Sequence, residues 1–387
     1  MKETDFSKNA PGKLVTTIQG YLAYVPDPLP PRINWSDSLV AALSRADRSL
    51  AQLAEAGKAF PASHVVVRPF IRKEAVLSSR IEGTRTSFQG LLAFEARQMR
   101  LFEDFEDAHE VQNYVQAMDY GLERLKTLPV SMRLLREIHG ILMKEVRGEQ
   151  MAPGELRRSQ NWIGRPGATI ETATYVPPPV EDMKRCLADL ERFIHADPSL
   201  PGLLRIALTH YQFEAIHPFL DGNGRMGRLL ATLLMVSWGL LPQPLLYLSS
   251  YLESKRQAYY DRLLAVSQNA DWEGWLQFFL EGVQGQALDA IARINRLQAL
   301  RQAILVQLEG ERSRSKLARL VDYLIGTPIT TISQAQAQLG MGSYTTIQRH
   351  MERLAALGIL REATGRGRNR IYRAESILEV LEKDLAV

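Results

Sequence analysis

Twelve consecutive residues, His217-Pro218-Phe219-Leu220-Asp221-Gly222-Asn223-Gly224-Arg225-Met226-Gly227-Arg228, restrict this chain more than any other stretch. They place a titratable base, a carboxylate, three glycines, an asparagine and two arginines directly before an apolar segment, Leu229 to Leu241. Glycines let backbone N–H groups approach a charge closely, and the start of a helix adds its positive dipole, so the run suits a loop that holds an anion at a helix N-terminus. Arg225 and Arg228, three residues apart, fall near one face once the helix has begun. His217 supplies a proton acceptor for an oxygen nucleophile. Asp221 is a hard oxygen ligand suited to Mg²⁺ bridging phosphate oxygens.

The rest of the chain sets the frame. A length of 387 residues suggests two or three domains, and 45% hydrophobic with 23% charged residues is ordinary for a water-soluble globular protein. Cys186 is the single cysteine, which rules out an internal disulfide and argues against a cysteine metal site. The polar start, Met1 to Leu14, does not read as a signal peptide, and cytoplasm is the default expectation. Leu229 to Leu248 imitates a membrane span, but Gly239, Pro242 and Pro244 leave a run too short to cross, so a buried helix and no membrane partner are expected.

Residues 1–35 read as an arm, with the proline cluster Pro26 to Pro31 running extended over the surface. Ser36 to Ala56 has helical spacing, with Leu39, Leu43, Leu50 and Leu53 on one side. In residues 64–83, Pro69 suits the first turn of a helix and Gly83 the position past its end. Phe70, Glu74, Leu77 and Ile81 share a stripe on that helix. Glu82 stands out, because a carboxylate at a helix C-terminus opposes the dipole unless a cation from elsewhere meets it. Residues 84–150 are helical in pattern; the acidic run Phe102 to Asp107 reads as a solvated face and His139 as a structural histidine.

From 151 to 180 the character changes. Met151 to Arg157 is turn-like, and two β-prone runs, Asn161 to Gly164 and Ile170 to Val176, flank Pro166-Gly167, which predicts a hairpin as the main β feature of the first two-thirds. Helices are expected over Val180–Ile194 and Leu203–Ile216, the second delivering His217, with His210 in the core or behind the site. A helix containing Tyr259-Tyr260 and another capped by Asp271 follow. Residues 311–373 hold eleven basic and four acidic residues, a net +7 in a chain of +4, so the remainder carries −3. Two short helices, Thr331–Gly340 and Tyr344–Leu357, precede two strands joined by a basic tip at Arg366 to Arg370. That order resembles a winged helix-turn-helix. Residues 344–353 would be its recognition helix, giving possible DNA binding through residues 330–373; dimerisation or target docking is the alternative.

The 217–228 run also fills all eight fixed positions of the Fic family signature, H-x-F-x-[DE]-G-N-G-R-x-x-R. Ser78-Ser79-Arg80-Ile81-Glu82-Gly83 resembles the family's inhibitory motif, [ST]-x-x-x-E-[GN]. The chain is therefore identified as resembling a class II Fic protein adenylyltransferase, with its inhibitory helix N-terminal to the signature. The resemblance implies a mainly α fold, a Fic-type helical bundle with a β-hairpin flap that registers a target segment by strand addition, followed here by the small winged-helix-like unit. The expected layout is an arm at 1–35, a helical region at 36–110 with the inhibitory helix at about 68–83, a catalytic domain at 111–305 and the winged-helix-like domain at 306–387. It further implies AMP transfer from ATP to a Ser, Thr or Tyr hydroxyl of a target protein, and of the protein itself, with regulation through a homodimer. His217 would be the base and Asp221 the Mg²⁺ ligand. Gly222, Asn223, Gly224 and Arg225, with Met226 and Gly227 behind them, would cradle phosphate. Arg228 would place the γ-phosphate unless Glu82, with Ser78 in the same motif, occupies it. Tyr260 would border adenine. Phosphate-transferring relatives and a nucleotide-sensing transcriptional regulator are the alternatives.

Overall fold

The computed structural model describes the chain except residues 61–62, 98–104, 147–151, 197–199, 366–369 and 384–387. Half of the acidic run at 102–107, the first residue of the expected 151–157 turn and most of the basic tip at 366–370 lie outside the described residues. The fold is mainly helical.

After one 3₁₀ turn at Glu3–Asp5 come two strands, where an arm was expected. Strands β1 (Gly12–Thr16) and β2 (Leu22–Pro26) pair antiparallel, with Gly12 opposite Pro26 and Thr16 opposite Leu22. A turn at Thr17–Tyr21, with Gly20 at φ +86°, reverses the chain. Ala23, Tyr24 and Val25 are buried, which is why this stretch pairs and packs when its proline-rich continuation cannot. The expected hairpin at 161–176 is reduced to one antiparallel bridge, Ile163 with Tyr175. Between them Thr169 and Thr172 bond to each other's main chain and side chains in a local turn, which competes with ladder formation. The longest β ladder in the first two-thirds is therefore β1–β2, and the Tyr24 N–H ties it to Val176 O (2.9 Å).

Helices α1 (Asp37–Ala59), α2 (Ser63–Ile81), α3 (Phe88–Arg97), α4 (Phe105–Arg124) and α5 (Met132–Leu142) come next. Ser36 and Ser131 cap α1 and α5, each accepting from an N–H three residues on. Pro69 lies inside α2, because that helix begins at Ser63, more than a turn earlier than expected. Helices α6 (Val180–His195), α7 (Gly202–Ile216), α8 (Asn223–Ser237), α9 (Ser249–Ser254), α10 (Arg256–Asn269) and α11 (Trp272–Gln307) complete the bundle. Nearly every side chain of α7 and α8 is buried, so this antiparallel pair is the centre, surrounded by α2, α4, α5, α6 and α11. Leu229 to Leu248 is core, not membrane span, and no described helix is long and apolar enough to cross a bilayer.

The C-terminal unit runs α12 (Arg314–Gly326), β3 (Ile329–Thr331), α13 (Ile332–Leu339), α14 (Tyr344–Ala356), β4 (Arg361–Glu362), β5 (Ile371–Arg373) and α15 (Glu375–Glu382). The sheet order is β3-β5-β4, all antiparallel. This unit is seated on α2. Pro69 cannot donate to the Val65 carbonyl, and α12 approaches there through Gly326, where a methyl would lie 2.9 Å from Val65 O. Arg68 donates to Gln338 (2.5 Å), Gln334 to Glu95 O (2.7 Å), and Arg293 of α11 to the Val380 and Leu381 carbonyls of α15 (2.9 Å each).

Candidate active site

Helix α7 ends on His217, whose backbone is left-handed (φ 49°, ψ 62°), and Pro218 cannot continue the helix. Five residues later Gly222, also left-handed at φ 76°, caps the start of α8. A side chain at Gly222 would meet the Met143 sulfur at 2.8 Å, so glycine is required twice over. Asn223 folds back on the loop: its Oδ1 accepts from the Phe219 N–H and its Nδ2 donates to the Phe219 carbonyl, both at 2.8 Å. Phe219 points inward, as expected, and stacks on His139 with centroids 3.8 Å apart. His139 Nδ1 accepts from the Gly154 N–H (2.8 Å), so its proton is on Nε2, which donates to Asp221 O (3.0 Å). Burial pushes the His139 pKa down to about 4, keeping it a neutral brace.

His217 is arranged in the same way. His217 Nδ1 lies 3.2 Å from the Glu214 carbonyl, which can only accept, so the proton sits on Nδ1 and Nε2 carries the free lone pair. Burial, reinforced by the Arg157 charge, brings its pKa down to about 4, and a carbonyl bond with Glu82 and Asp221 acts the other way. At neutral pH His217 is therefore an uncharged acceptor.

Facing it, α8 starts with N–H groups that precede the helix's first i→i−4 bond, Met226 N to Gly222 O. The anion now at this end is Glu82. Its carboxylate lies so close to the Gly224 Cα that a methyl there would collide with Oε1. Arg228 Nη2 donates to Glu82 Oε1 at 2.5 Å and to Ser78 O at 3.0 Å, while its Nε donates to Ser78 Oγ at 2.8 Å. Ser78 thus completes the cradle of the guanidinium. Burial alone would raise the Glu82 pKa; Arg228 outweighs it and holds the carboxyl below its usual range. The Arg228 guanidinium is held further above its own.

The other expected site residues lie in different surroundings. The Arg225 side chain is not turned to the phosphate loop: it is buried in an ion pair with Glu110 of α4, and its Nη2 contacts the Met143 sulfur (3.4 Å). A buried carboxylate on α4 requires a cation, and Arg225 supplies one. Asn223 is likewise occupied by Phe219, so its contribution is to shape the loop. Met226 is wholly buried, and Gly227 leaves room for the Glu214 carboxylate. Asp221 is exposed at the loop's rim, its Oδ1 accepting from Gly222 N–H (2.7 Å). No cluster of three metal-ligating side chains occurs among the described residues. Of the tyrosine pair, Tyr259 is core and donates to His210 Nε2 (2.8 Å), whose Nδ1–H in turn meets Gly227 O (3.1 Å). Tyr260 is 39% exposed and near enough to Glu82 for that charge, after burial, to raise its pKa.

Two further residues belong to the site. Arg157 is buried and bonds to main-chain carbonyls around His217. Glu214 sits behind the loop with a buried Oε1 that has no hydrogen-bond partner among the described residues. Its pKa is raised to about 7 by burial, opposed by Arg228 and reinforced by Glu82. A carboxylate three residues before His217 was the one available signal for Glu214. For Arg157 there was none, since its partners are backbone.

A histidine on a left-handed turn leading into a glycine-rich helix start, within a helical bundle, is the arrangement of a Fic-type fold. Residues 40–123 match the Fic/DOC family N-terminal profile and residues 129–235 the Fic/DOC family profile, so the chain carries both a Fic N-terminal and a Fic domain. Among curated proteins it resembles protein adenylyltransferase Fic of Drosophila grimshawi, 26% identical over 205 residues, which is 52% of this chain and 39% of that protein. The Drosophila yakuba counterpart is 29% identical over 166 residues, 42% of this chain and 31% of the other. The chain thus spans only about a third of the length of these relatives. In fold it resembles the crystal structure of a Fic family protein from Desulfovibrio desulfuricans G20, with TM-score 0.57 and 20% identity over 89% of this chain and 98% of that one. It also resembles Fic-1 (residues 134–508) of C. elegans, with TM-score 0.51 and 21% identity over 68% and 74% of the respective chains.

Proposed function

We propose that the chain is a protein adenylyltransferase that moves AMP from ATP to a Ser, Thr or Tyr hydroxyl of a target protein and of itself, restrained by Glu82. The observation carrying this reading is the position of the Glu82 carboxylate, bonded to Arg228 against the start of α8 beside a neutral His217. His217 Nε2 takes the hydroxyl proton, the oxygen attacks the α-phosphorus, and pyrophosphate leaves. The α8 N–H groups meet the negative charge that grows on the phosphate oxygens. Arg228 holds the γ-phosphate once Glu82 gives it up, and Tyr260 borders the adenine. A single exposed carboxylate fits Mg²⁺, which takes one or two protein oxygens and completes its shell from phosphates and water; Asp221 would hold it, and its chemistry is to neutralise phosphate charge. The setting is the ATP-containing cytoplasm and the assembly a homodimer.

The test is transfer of labelled AMP in lysate. Glu82→Gly increases labelling, including automodification, and His217→Ala abolishes it; equal labelling by the Glu82 variant and the parent rejects the restraint. The added mass, read by mass spectrometry, separates AMP from phosphate transfer.

A second, compatible reading is that α14 binds duplex DNA. Ser343 caps α14, and Tyr344, Thr345 and Arg349 are exposed on its leading half. A sequence-selective gel shift that weakens with salt supports it, and a shift insensitive to sequence rejects it.

A further inference from the structure

Arg157 is buried, 1% exposed, and among the described residues no carboxylate pairs with it. Its partners are carbonyl oxygens instead, three of them consecutive at the end of α7. The guanidinium donates from Nε to His217 O (2.9 Å) and from Nη2 to Ile216 O (3.5 Å), and the Arg157 backbone N–H donates to Pro218 O (2.9 Å). The same fork reaches Pro178 O (2.5 Å) and Ser159 O (3.3 Å), and Asn161 Nδ2 adds bonds to His217 O (3.4 Å) and Phe219 O (2.8 Å). A non-glycine residue in the left-handed region is strained and persists only where its surroundings over-determine it. Here the surroundings are one cation at the negative end of a helix, bonded to the strained residue and to both its neighbours.

We propose that Arg157 is a positioning residue for His217: it fixes the left-handed turn that aims Nε2 at the incoming hydroxyl. Its guanidinium charge also acts on the His217 ring. This rests on the adenylyl-transfer reading. Geometry and charge are separable. Arg157→Gln removes both the fork and the charge, whereas Arg157→Lys keeps the charge and loses the fork. The groups acting on the His217 ring are Arg157, which with burial lowers its proton affinity, and Glu82, Asp221 and the Glu214 carbonyl, which raise it.

The experiment uses the full chain carrying Glu82→Gly, with Arg157→Gln, Arg157→Lys and the loop variant Asn161→Ala added singly. In Arg157→Gln, kcat for AMP transfer falls about 100-fold, the cost of a misplaced catalytic group, while KM for ATP stays within about twofold. The acid limb of its rate profile moves to higher pH. In Arg157→Lys kcat also falls but the acid limb stays in place. Asn161→Ala loses severalfold in kcat and folds normally. NMR titration of the His217 ring tests the charge without turnover, with an upward displacement expected in Arg157→Gln and none in Arg157→Lys. A folded Arg157 variant with kcat within threefold of its parent overturns the proposal. So does a loss in Arg157→Gln in which kcat and KM change together and the acid limb and ring titration do not move. If Arg157→Gln fails to fold, unchanged kcat in both Arg157→Lys and Asn161→Ala overturns it. A parent that transfers no AMP at all refutes the adenylyl-transfer reading instead, and the ring titration still decides the role of Arg157.

Discussion

Glu82→Gln keeps the shape of the side chain at the start of α8 and removes its charge. Arg228, whose side chain is 2% exposed, would keep its two bonds to Ser78 but lose its carboxylate. A hydrogen bond between charged groups contributes about 1.5–3 kcal/mol. The Glu82 side chain is 34% exposed, so solvent screening lowers this to about 1–2 kcal/mol. Unfolding entropy of about 2.1 cal/mol/K per residue gives roughly 0.8 kcal/mol/K for a chain of this length, so the midpoint should drop by about 1–2.5 °C. Nucleotide reverses the order. At a hundred times Kd, ligand adds about 2.7 kcal/mol, or some 3 °C, and the variant gains more because its Arg228 is free for the γ-phosphate. Differential scanning calorimetry with and without a non-hydrolysable ATP analogue reads both effects. A variant that melts with the parent in buffer, and gains no more from nucleotide, would refute the competition between carboxylate and phosphate.

Other perturbations separate the brace from the chemistry. Glu214 has its folded pKa raised from 4.5 to about 7, so its contribution is fully present below about 4.5 and lost as pH rises through 7. At about 1.36 kcal/mol per unit that is roughly 3 kcal/mol, and Glu214→Gln should flatten the decline in urea-unfolding stability between pH 5 and 8. Gly222→Ala forces a side chain into the left-handed region and against Met143, which should cost about 1–3 kcal/mol in chemical denaturation and weaken ATP binding measured by calorimetry. His139→Phe keeps the stack on Phe219 but strands the Gly154 N–H and the Asp221 carbonyl; a stability loss of about 1–3 kcal/mol, with a lower kcat, is expected.

The helices were legible because their caps and apolar spacing are local: Ser36 before α1, Asp271 before α11, and the stripe Leu134, Leu135, Ile138 on α5. So was the possibility of a cation for Glu82, since a carboxylate ending a helix asks for one. Pairing across the chain was not legible. Whether Thr169–Thr174 extends a ladder or closes a turn depends on side-chain bonds among threonines, and β-prone composition is the same in both cases. Arg225 and Arg228 look alike in the motif, yet Glu110 on α4 claims the first and Glu82 the second. Only the packing of α4 and α2 on α8 distinguishes them.

The long helix α11 bears on how the chain can be dissected. At 1.5 Å per residue its 36 residues form a rod of about 54 Å that lies along α1 at one end and meets α12 and α15 at the other. No flexible linker lies within this span where a cut could be made. Truncation in its last turns would lay bare Leu297 and Ile304, release the α15 carbonyls held by Arg293, and uncover the face of α2 on which Gly326 rests. The product would present a fresh apolar surface, so its loss of labelling would report aggregation before it reported regulation. Point substitutions in the intact chain are the sounder way to ask what the C-terminal unit does.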